Sequence, residues 1–403
     1  MKSIAIFPAS GALGTSTYTH LLASPSSSST TSSVVDPTRV TLISRFPAKV
    51  PPPLLRAGVR TAAASYESPP ERLRALFAGH DVLFLVSYPS HEHALRTRLQ
   101  LPVIDDARAA GVRHVFYSSL AFAADGSGGD AVGGAAERGD GPAQVGTTTR
   151  AEVMRAHLDT EAHLARLARE DPGFTYTVIR EGLYSESYPI YTAFFDVRRA
   201  AATSAAGQQQ QHEILIPHDG SGPGISWVKR DELGEATARL IAQYATATAQ
   251  GSEDVDSDDN NNTDNTGDAP KTPASSSPFL YVNAIVTLTG PRAYSLAETA
   301  AVLSRAVDYE GSRADDSVRI REVSVDEYVV QRRVQAAFAG GNDDDDDDDL
   351  DLHRGEALAR TWATAWDAIR AGETALVDGT LRDVLGREPE AFEATIRRLV
   401  DAQ

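Results

Sequence analysis

The sequence has no cysteine among its 403 residues, which excludes disulfides, cysteine-ligated zinc and thiol catalysis. It also lacks any apolar run of about eighteen residues, so we expect no membrane span. The first apolar run is too short for a secretory signal and leads straight into a glycine turn. These absences favour a cytoplasmic protein, with a nuclear location as the alternative for a regulator.

The net charge of −18 is concentrated in two stretches that cannot form a core. Residues 253–268 carry seven acids and no base, and residues 343–351 carry eight more acids. Without these fifteen acids the net charge of the chain is −3. We interpret both stretches as solvated loops, and their acidity argues against direct nucleic-acid binding.

The amino-terminal residues predict a strand, a tight turn and a helix. Residues 3–7 are apolar, residues 8–14 form a turn with two glycines, and residues 15–22 read as a helix. Such a turn leaves the first N–H groups of the helix free to bind a pyrophosphate. We therefore assign cofactor binding to Ser10, Gly11, Leu13 and Gly14; a glycine turn that only packs is the alternative.

A basic residue follows the second predicted strand, residues 39–43. In a dinucleotide fold the tip of this strand, here Ser44 and Arg45, faces the adenosine ribose. An acid there would bind the 2′-hydroxyl, whereas an arginine suits a 2′-phosphate. Arg45, together with Lys49, thus predicts NADP, with NADPH preferred over NADH. The alternative is an ordinary surface arginine.

Alternating strands and helices continue to residue 180. Strands are predicted over 59–61, 81–86, 114–119 and 174–180, and helices over 69–78, 91–110 and 152–169. This alternation predicts an α/β fold with a Rossmann-type, doubly wound parallel sheet. Because ligands lie beyond the carboxyl ends of such strands, we place Ser87, Tyr88, Ser118 and Ser119 around the nicotinamide.

The chain divides into two predicted parts. Residues 1–180 form the NAD(P)-binding domain, with a disordered serine-rich insert at 24–36 and a glycine-rich loop at 125–146. Residues 181–403 form a smaller α/β lobe that caps the cleft and carries low-complexity inserts at 250–278 and 341–351. In this lobe strands are predicted over 212–217, 225–228 and 318–323, and helices over 230–245, 296–307, 325–339, 356–371 and 390–400. Ordered chain resumes with residues 279–282.

Taken together, these landmarks resemble the NmrA-like family, the atypical branch of short-chain dehydrogenases/reductases common in filamentous fungi. The resemblance lies in residues 8–14, 44–45, 78–85, 111–120, 176–186, 225–233, 288–291 and 385–387. It implies NAD(P) binding by the amino-terminal domain. Some members of the family resemble quinone or secondary-metabolite reductases, and others are redox sensors that bind dinucleotide without turnover and contact a regulator.

Reduction of a carbonyl or enone needs a hydride and a proton. The usual proton donor of short-chain dehydrogenases, tyrosine in Y-x-x-x-K, has no match in this sequence. In family reductases a lysine often follows H-x-x-T-E; here that pattern begins at His157 and ends in Ala162. The remaining candidates for substrate contact or proton donation are Ser118, Ser119, Tyr88, Tyr184 and His157. Each hydroxyl could instead be satisfied by backbone, and His157 could be structural or exposed.

Tyr184 lies in the polar and aromatic segment 181–188, which leaves the sixth strand and lines a predicted substrate pocket. The first function we predict is an NADPH-dependent reductase of a small carbonyl, quinone or enone metabolite, with a role in fungal secondary metabolism. The missing lysine favours a redox-sensing transcriptional regulator with a protein partner, and a pseudoenzyme assembly partner is the third possibility. No acid cluster indicates a metal, since His91 and His93 do not share a helical face.

Overall fold

The computed structural model describes residues 1–23, 35–123, 148–208, 210–247, 279–307, 317–339 and 348–402. The predicted insert at 250–278, the loop at 125–146 and most of the insert at 24–36 lie outside these ranges. No helix within the ranges is long and apolar enough to cross a membrane.

Twelve strands lie in the described ranges. They are β1 (Ile4–Phe7), β2 (Val40–Ser44), β3 (Arg60–Ala63), β4 (Val82–Val86), β5 (His114–Leu120), β6 (Thr175–Glu181), β7 (Leu183–Tyr184), β8 (His212–Ile216), β9 (Ile225–Val228), β10 (Ala284–Leu288), β11 (Ala293–Tyr294) and β12 (Val318–Glu322).

Fourteen α-helices connect or flank these strands in the same ranges. They are α1 (Ala12–Leu21), α2 (Pro52–Arg56), α3 (Pro70–Phe77), α4 (His93–Ala109), α5 (Arg155–Glu170), α6 (Tyr188–Tyr191), α7 (Val197–Ala205), α8 (Arg230–Thr246), α9 (Leu296–Val307), α10 (Val325–Val329), α11 (Arg332–Ala339), α12 (Asp348–Arg370), α13 (Thr380–Leu385) and α14 (Phe392–Asp401).

A seven-stranded sheet in the order β10-β6-β5-β4-β1-β2-β3 carries the fold, and every pairing in it is parallel. The predicted doubly wound parallel sheet is therefore confirmed. The order of the strands reverses between β1 and β4, and a crevice at the carboxyl ends of the strands is expected at such a reversal. We call this end of the sheet the carboxyl edge.

Strand residues alternate between two apolar layers. Ile4 and Ile6 face α1 and α8, whereas Ala5 and Phe7 face α3, α4 and α5. Both faces are covered, which is why the strands read as continuous apolar runs rather than as alternating patterns.

The second half of the chain completes the amino-terminal sheet. Strand β10 pairs with β6 from Ala284 to Leu288. Helix α8 packs so tightly on α1 that a Cβ atom on Gly234 would lie 2.1 Å from Ser16 Oγ. Elements after residue 180 therefore pack directly on the amino-terminal sheet, and the assignment of domains 1–180 and 181–403 stays a prediction.

The remaining elements form a second layer with a core of its own. Strands β11, β9 and β7 make a three-stranded sheet, and β12 pairs with β8 in parallel. The core of this layer is aromatic: Trp227 stacks on Phe392 at 5.0 Å, and Tyr328 meets Trp366 edge-on at 4.7 Å.

Two boundaries in this half differ from the predictions. The helix predicted over 325–339 is two helices, because Gln331 leaves the helical path to donate its side-chain amide to the Leu215 carbonyl and then caps α11. Helix α12 begins at Asp348, within the predicted insert 341–351. After the insert at 250–278 the described chain begins at Phe279 with a turn, and β10 starts at Ala284.

Gly14 and Gly11 of the first turn differ in the space around their Cα atoms. Substituting them should therefore change the stability of the protein to different extents. A Cβ atom on Gly14 would lie 2.8 Å from the Pro8 carbonyl oxygen and 3.0 Å from that of Ala9, whereas one on Gly11 would meet no atom within 4 Å. We expect Gly14→Ala to lower the free energy of unfolding by about 1–2 kcal/mol after the gain in helix propensity. The control Gly11→Ser should not lower it, because serine is a good N-cap residue. Equal denaturant midpoints for the two variants would contradict this reading of the turn.

Candidate active site

The amino-terminal turn presents a helix end to the carboxyl edge. Gly11 caps α1 without a side-chain hydrogen bond, and the first turn of the helix holds no acid. Ser10 and Gly11 are exposed, Leu13 is buried in the core, and Gly14 packs against the Pro8 carbonyl. Leu13 could therefore contact a cofactor only through its backbone. The open space at Gly11 and the free positive end of the helix suit a pyrophosphate.

Arg45 and Lys49 converge on one aromatic ring just beyond β2. The Arg45 guanidinium lies 5.5 Å from the centre of the Phe46 ring, and Lys49 Nζ lies 4.8 Å from it. All three side chains are exposed. The backbone N–H of Ala9 donates to the Ile43 carbonyl at 2.9 Å, which holds this cationic pair next to the glycine turn.

Ser87 and Tyr88 at the end of β4 are held by α4. Ser87 donates to Gln100 Oε1 at 3.1 Å and accepts a hydrogen bond from Arg96 Nη2 at 2.5 Å. The Tyr88 N–H donates to the same Gln100 oxygen at 2.8 Å, and its ring meets Tyr66 edge-on. The Ser87 hydroxyl is thus already used as donor and acceptor within the protein.

Arg96 also fixes the orientation of His157. The buried guanidinium donates to His157 Nε2 at 2.8 Å, so His157 Nδ1 carries the proton and faces the Tyr117 hydroxyl at 2.9 Å. Burial, and then the charges of Arg96 and Arg180, hold the pKa of His157 well below its usual value. His157 is therefore a neutral, structural histidine in this arrangement, which was one of the two readings left open by the sequence.

Ser119 faces the same side of the sheet as α5. It is fully buried and donates to Glu161 Oε1 at 2.5 Å. Glu161 also accepts two hydrogen bonds from Arg180, at 3.0 and 2.6 Å, in a buried ion pair. Ala162, the position of the expected lysine, is exposed on α5. A lysine there would lie off the helix face that packs against the sheet.

Ser118 and Tyr184 lie on the other side, around a buried acid that the sequence analysis did not single out. Glu181, the last residue of β6, has no exposed surface, and its Oε2 atom is 2.5 Å from the Tyr184 hydroxyl. Its Oε1 atom is buried without a hydrogen-bond partner of ordinary geometry among the described residues. Burial raises the pKa of Glu181 to about 7, whereas hydrogen bonding by Tyr184 and Ser118 lowers it.

Tyr184 itself is partly exposed and lies between an acidic and a basic side chain. Loss of water around its hydroxyl and the nearby Glu181 raise the pKa of Tyr184 well above its usual value. Arg230, whose guanidinium is 6.0 Å from the centre of the Tyr184 ring, acts in the opposite direction. Tyr184 and Glu181 are thus arranged as a coupled pair of oxygen acids at the carboxyl edge.

The predicted site residues consequently divide between the two faces of the sheet. Ser118 and Tyr184 share one face with Glu181, while Ser87, Tyr88 and Ser119 lie against α4 and α5. Glu181, Arg96 and Gln100 were not among the residues predicted from the sequence. An acid at the carboxyl end of a parallel strand was a usable signal for Glu181, whereas the roles of Arg96 and Gln100 depend on helix packing that no local pattern reveals.

The chain is similar to known oxidoreductases, although no protein-family model matches it. It is 25% identical over 344 residues to the NmrA-like family domain-containing oxidoreductase flvB of Aspergillus flavus, covering 85% of this chain and 80% of that protein. It is 28% identical over 209 residues to quinone oxidoreductase 2 of Escherichia coli, covering 52% of this chain and 57% of that protein.

Solved structures share the fold over nearly the whole chain. Triphenylmethane reductase from Citrobacter sp., complexed with NADP(H), has a TM-score of 0.58 at 21% identity, covering 98% of this chain and 99% of the other. The NADPH-dependent quinone oxidoreductase QOR2 of Escherichia coli, complexed with NADPH, gives the same values. These cofactors agree with the predicted NADP. The Rossmann-type fold and the predicted resemblance to the NmrA-like family of atypical short-chain dehydrogenases/reductases are confirmed.

Proposed function

We propose that this protein is an NADPH-dependent oxidoreductase that reduces a small carbonyl, quinone or enone metabolite. One observation carries the proposal: the glycine turn, the Arg45–Lys49 pair and the Tyr184–Glu181 pair lie along one carboxyl edge of the sheet. The first two suit the phosphates of NADPH, and the third offers a proton. A place in fungal secondary metabolism is the finer form of the proposal, supported by the similarity to the Aspergillus protein.

Each part of this edge has its own role in binding. The N–H groups at the start of α1 hold the pyrophosphate, which Gly11 allows to approach closely. Arg45 and Lys49 hold the 2′-phosphate through charge-assisted hydrogen bonds. When bound, NADPH supplies the hydride that carries two electrons to the acceptor.

The protein's chemical contribution is then a proton for the acceptor oxygen. Tyr184 donates it from the edge of the sheet, and Arg230 stabilises negative charge that develops on the tyrosine oxygen. Ser118 neighbours the same pair, while Ser87, Tyr88 and Ser119 support the edge from the opposite face. Quinones and activated enones, which accept hydride readily, should be the better substrates.

A regulator that binds NADP without turnover is the second candidate. It is favoured by the exposed position of Ala162 and by the placement of the described lysines: Lys229, for example, pairs with Glu390 at 3.2 Å. Incubation of the protein with NADPH and a panel of quinones and enones separates the two functions. Reduction above background supports the enzyme, whereas tight NADP binding with no acceptor reduced supports the regulator.

Cofactor preference tests the Arg45–Lys49 pair. Hydrogen bonds to charged groups contribute about 1.5–3 kcal/mol, so Arg45→Ala should weaken NADPH binding roughly ten- to a hundred-fold and leave NADH binding unchanged. Titration calorimetry with both nucleotides measures this. Arg39→Ala, at the opposite end of β2, is the matched control and should change neither affinity. Wild-type protein that binds both nucleotides equally would refute the assignment.

Proton donation by Tyr184 predicts an effect that depends on the acceptor. Because general acid catalysis contributes roughly a hundred- to ten-thousand-fold, Tyr184→Phe should lower kcat strongly for a weakly electrophilic carbonyl and much less for a quinone. NADPH affinity should not change. Tyr176→Phe, near the amino end of β6, is the control. If Tyr184→Phe and Tyr176→Phe behave alike with the weak acceptor, Tyr184 is not the donor.

A further inference from the structure

Glu181 has an unusual position for a carboxyl group. It ends a strand whose other side chains are largely buried, and it has no surface exposed to solvent. No arginine, lysine or histidine forms an ion pair with it among the described residues, in contrast to Glu161 on the opposite face, which Arg180 neutralises. An ionised carboxylate buried in this way would be costly, so the local structure favours the neutral acid.

The sparse hydrogen bonding of the carboxyl group leads to the same conclusion: only Tyr184 and Ser118 act on it, and Oε1 has no partner of ordinary geometry among the described residues. A carboxylate has two acceptor oxygens to satisfy, and this one has an ordinary partner at only one of them among the described residues. A neutral carboxylic acid can instead donate through Oε2 to the Tyr184 oxygen. That direction leaves the tyrosine O–H free to point toward a substrate.

The chain around Glu181 keeps this contact rigid. A Cβ atom on Gly182 would lie 2.5 Å from Val228 Cγ2 and 3.2 Å from the Leu288 carbonyl oxygen, and the Gly182 N–H donates to that oxygen at 2.7 Å. Tyr184 follows two residues later in β7, which pairs with β9. Acid and tyrosine are therefore held together by backbone pairing on both sides.

We propose that Glu181 is the proton reservoir of the reaction: as a neutral acid it reprotonates Tyr184 after the tyrosine has given its proton to the substrate. This inference rests on the proposed reductase function. In the first transfer the Tyr184 O–H bond breaks as the substrate O–H bond forms. In the second the Glu181 O–H bond breaks as the tyrosine O–H bond re-forms. After product release, solvent returns a proton to the buried Glu181 carboxylate through the partly exposed Tyr184 hydroxyl, so each turnover consumes one proton and one hydride.

The groups around the pair define its pH behaviour. The Tyr184 and Ser118 hydroxyls face Glu181, and Arg230 and Glu186 influence Tyr184. The pKa of Glu181 is raised to about 7, above its unfolded value, so the neutral acid predominates below that pH in the folded protein. Activity that depends on the acid should be present below about pH 7 and lost as the pH rises through it.

Glu181→Gln tests this without removing bulk, because the amide can still hydrogen-bond Tyr184 but cannot release a proton. With a weakly electrophilic carbonyl acceptor, we expect wild-type kcat to fall tenfold per pH unit above about 7. In Glu181→Gln, kcat should be low, and the decline of kcat above about pH 7 should be absent. Glu181→Asp should restore a pH-dependent kcat, a rescue that a merely structural role would not produce.

A second readout needs neither cofactor nor turnover. A carboxyl group with a raised pKa stabilises the fold below its unfolded pKa, and this contribution is lost as the pH rises through the folded value. The melting temperature of the wild type, relative to that of Glu181→Gln, should therefore drop between about pH 5 and 8. The melting curve of Glu181→Gln also shows whether this variant folds.

The outcomes separate two kinds of failure. If wild type reduces no acceptor, the proposed function fails, while the melting difference still reports on Glu181. If wild type is active and Glu181→Gln keeps its rate and its pH profile, the reservoir is wrong and the reductase stands. A difference in melting temperature that does not change with pH would likewise refute the proposal that Glu181 is a neutral acid.

Discussion

The close packing around Gly182 is the constraint on which the candidate site depends. At this residue the chain leaves β6 between β9 and β10 with no room for a side chain. Both neighbouring strands come from the second half of the sequence, so the site cannot form until that half has joined the sheet. The same crossing fixes Glu181 and Tyr184 on one face. Fold and proposed chemistry therefore share one steric requirement.

The two faces of the sheet differ in the groups that surround their buried ionisable side chains. Toward α4 and α5, buried charge is either paired, as in Arg180 with Glu161, or surrounded by neutral acceptors, as in Arg96. Toward α1 and α8, Glu181 has a tyrosine and a serine but no cation at ion-pair distance among the described residues. The charges of the first arrangement hold neighbouring side chains in place. In the second, burial raises the pKa of Glu181 to about 7, a shift that a purely structural role does not require.

Much of the sheet could be predicted from the sequence because apolar runs and glycine turns are local signals. The first turn, Arg45 at the tip of β2 and the hydroxyls at the ends of β4 and β5 follow from such patterns. The hydrogen-bond partner of each hydroxyl could not be predicted. Ser119, for example, meets Glu161 only because α5 packs against the sheet. Helix α10 likewise ends early because of Gln331 and Leu215, residues more than a hundred positions apart.

A crystal structure of the protein with NADPH would test the central claim most directly. We expect the 2′-phosphate between Arg45 and Lys49 and the nicotinamide beside Tyr184, on the face that carries Glu181 and Ser118. The Tyr184 hydroxyl should then lie within hydrogen-bond reach of an acceptor placed over the ring. A nicotinamide bound instead on the opposite face, beside Ser87 and His157, would contradict the account.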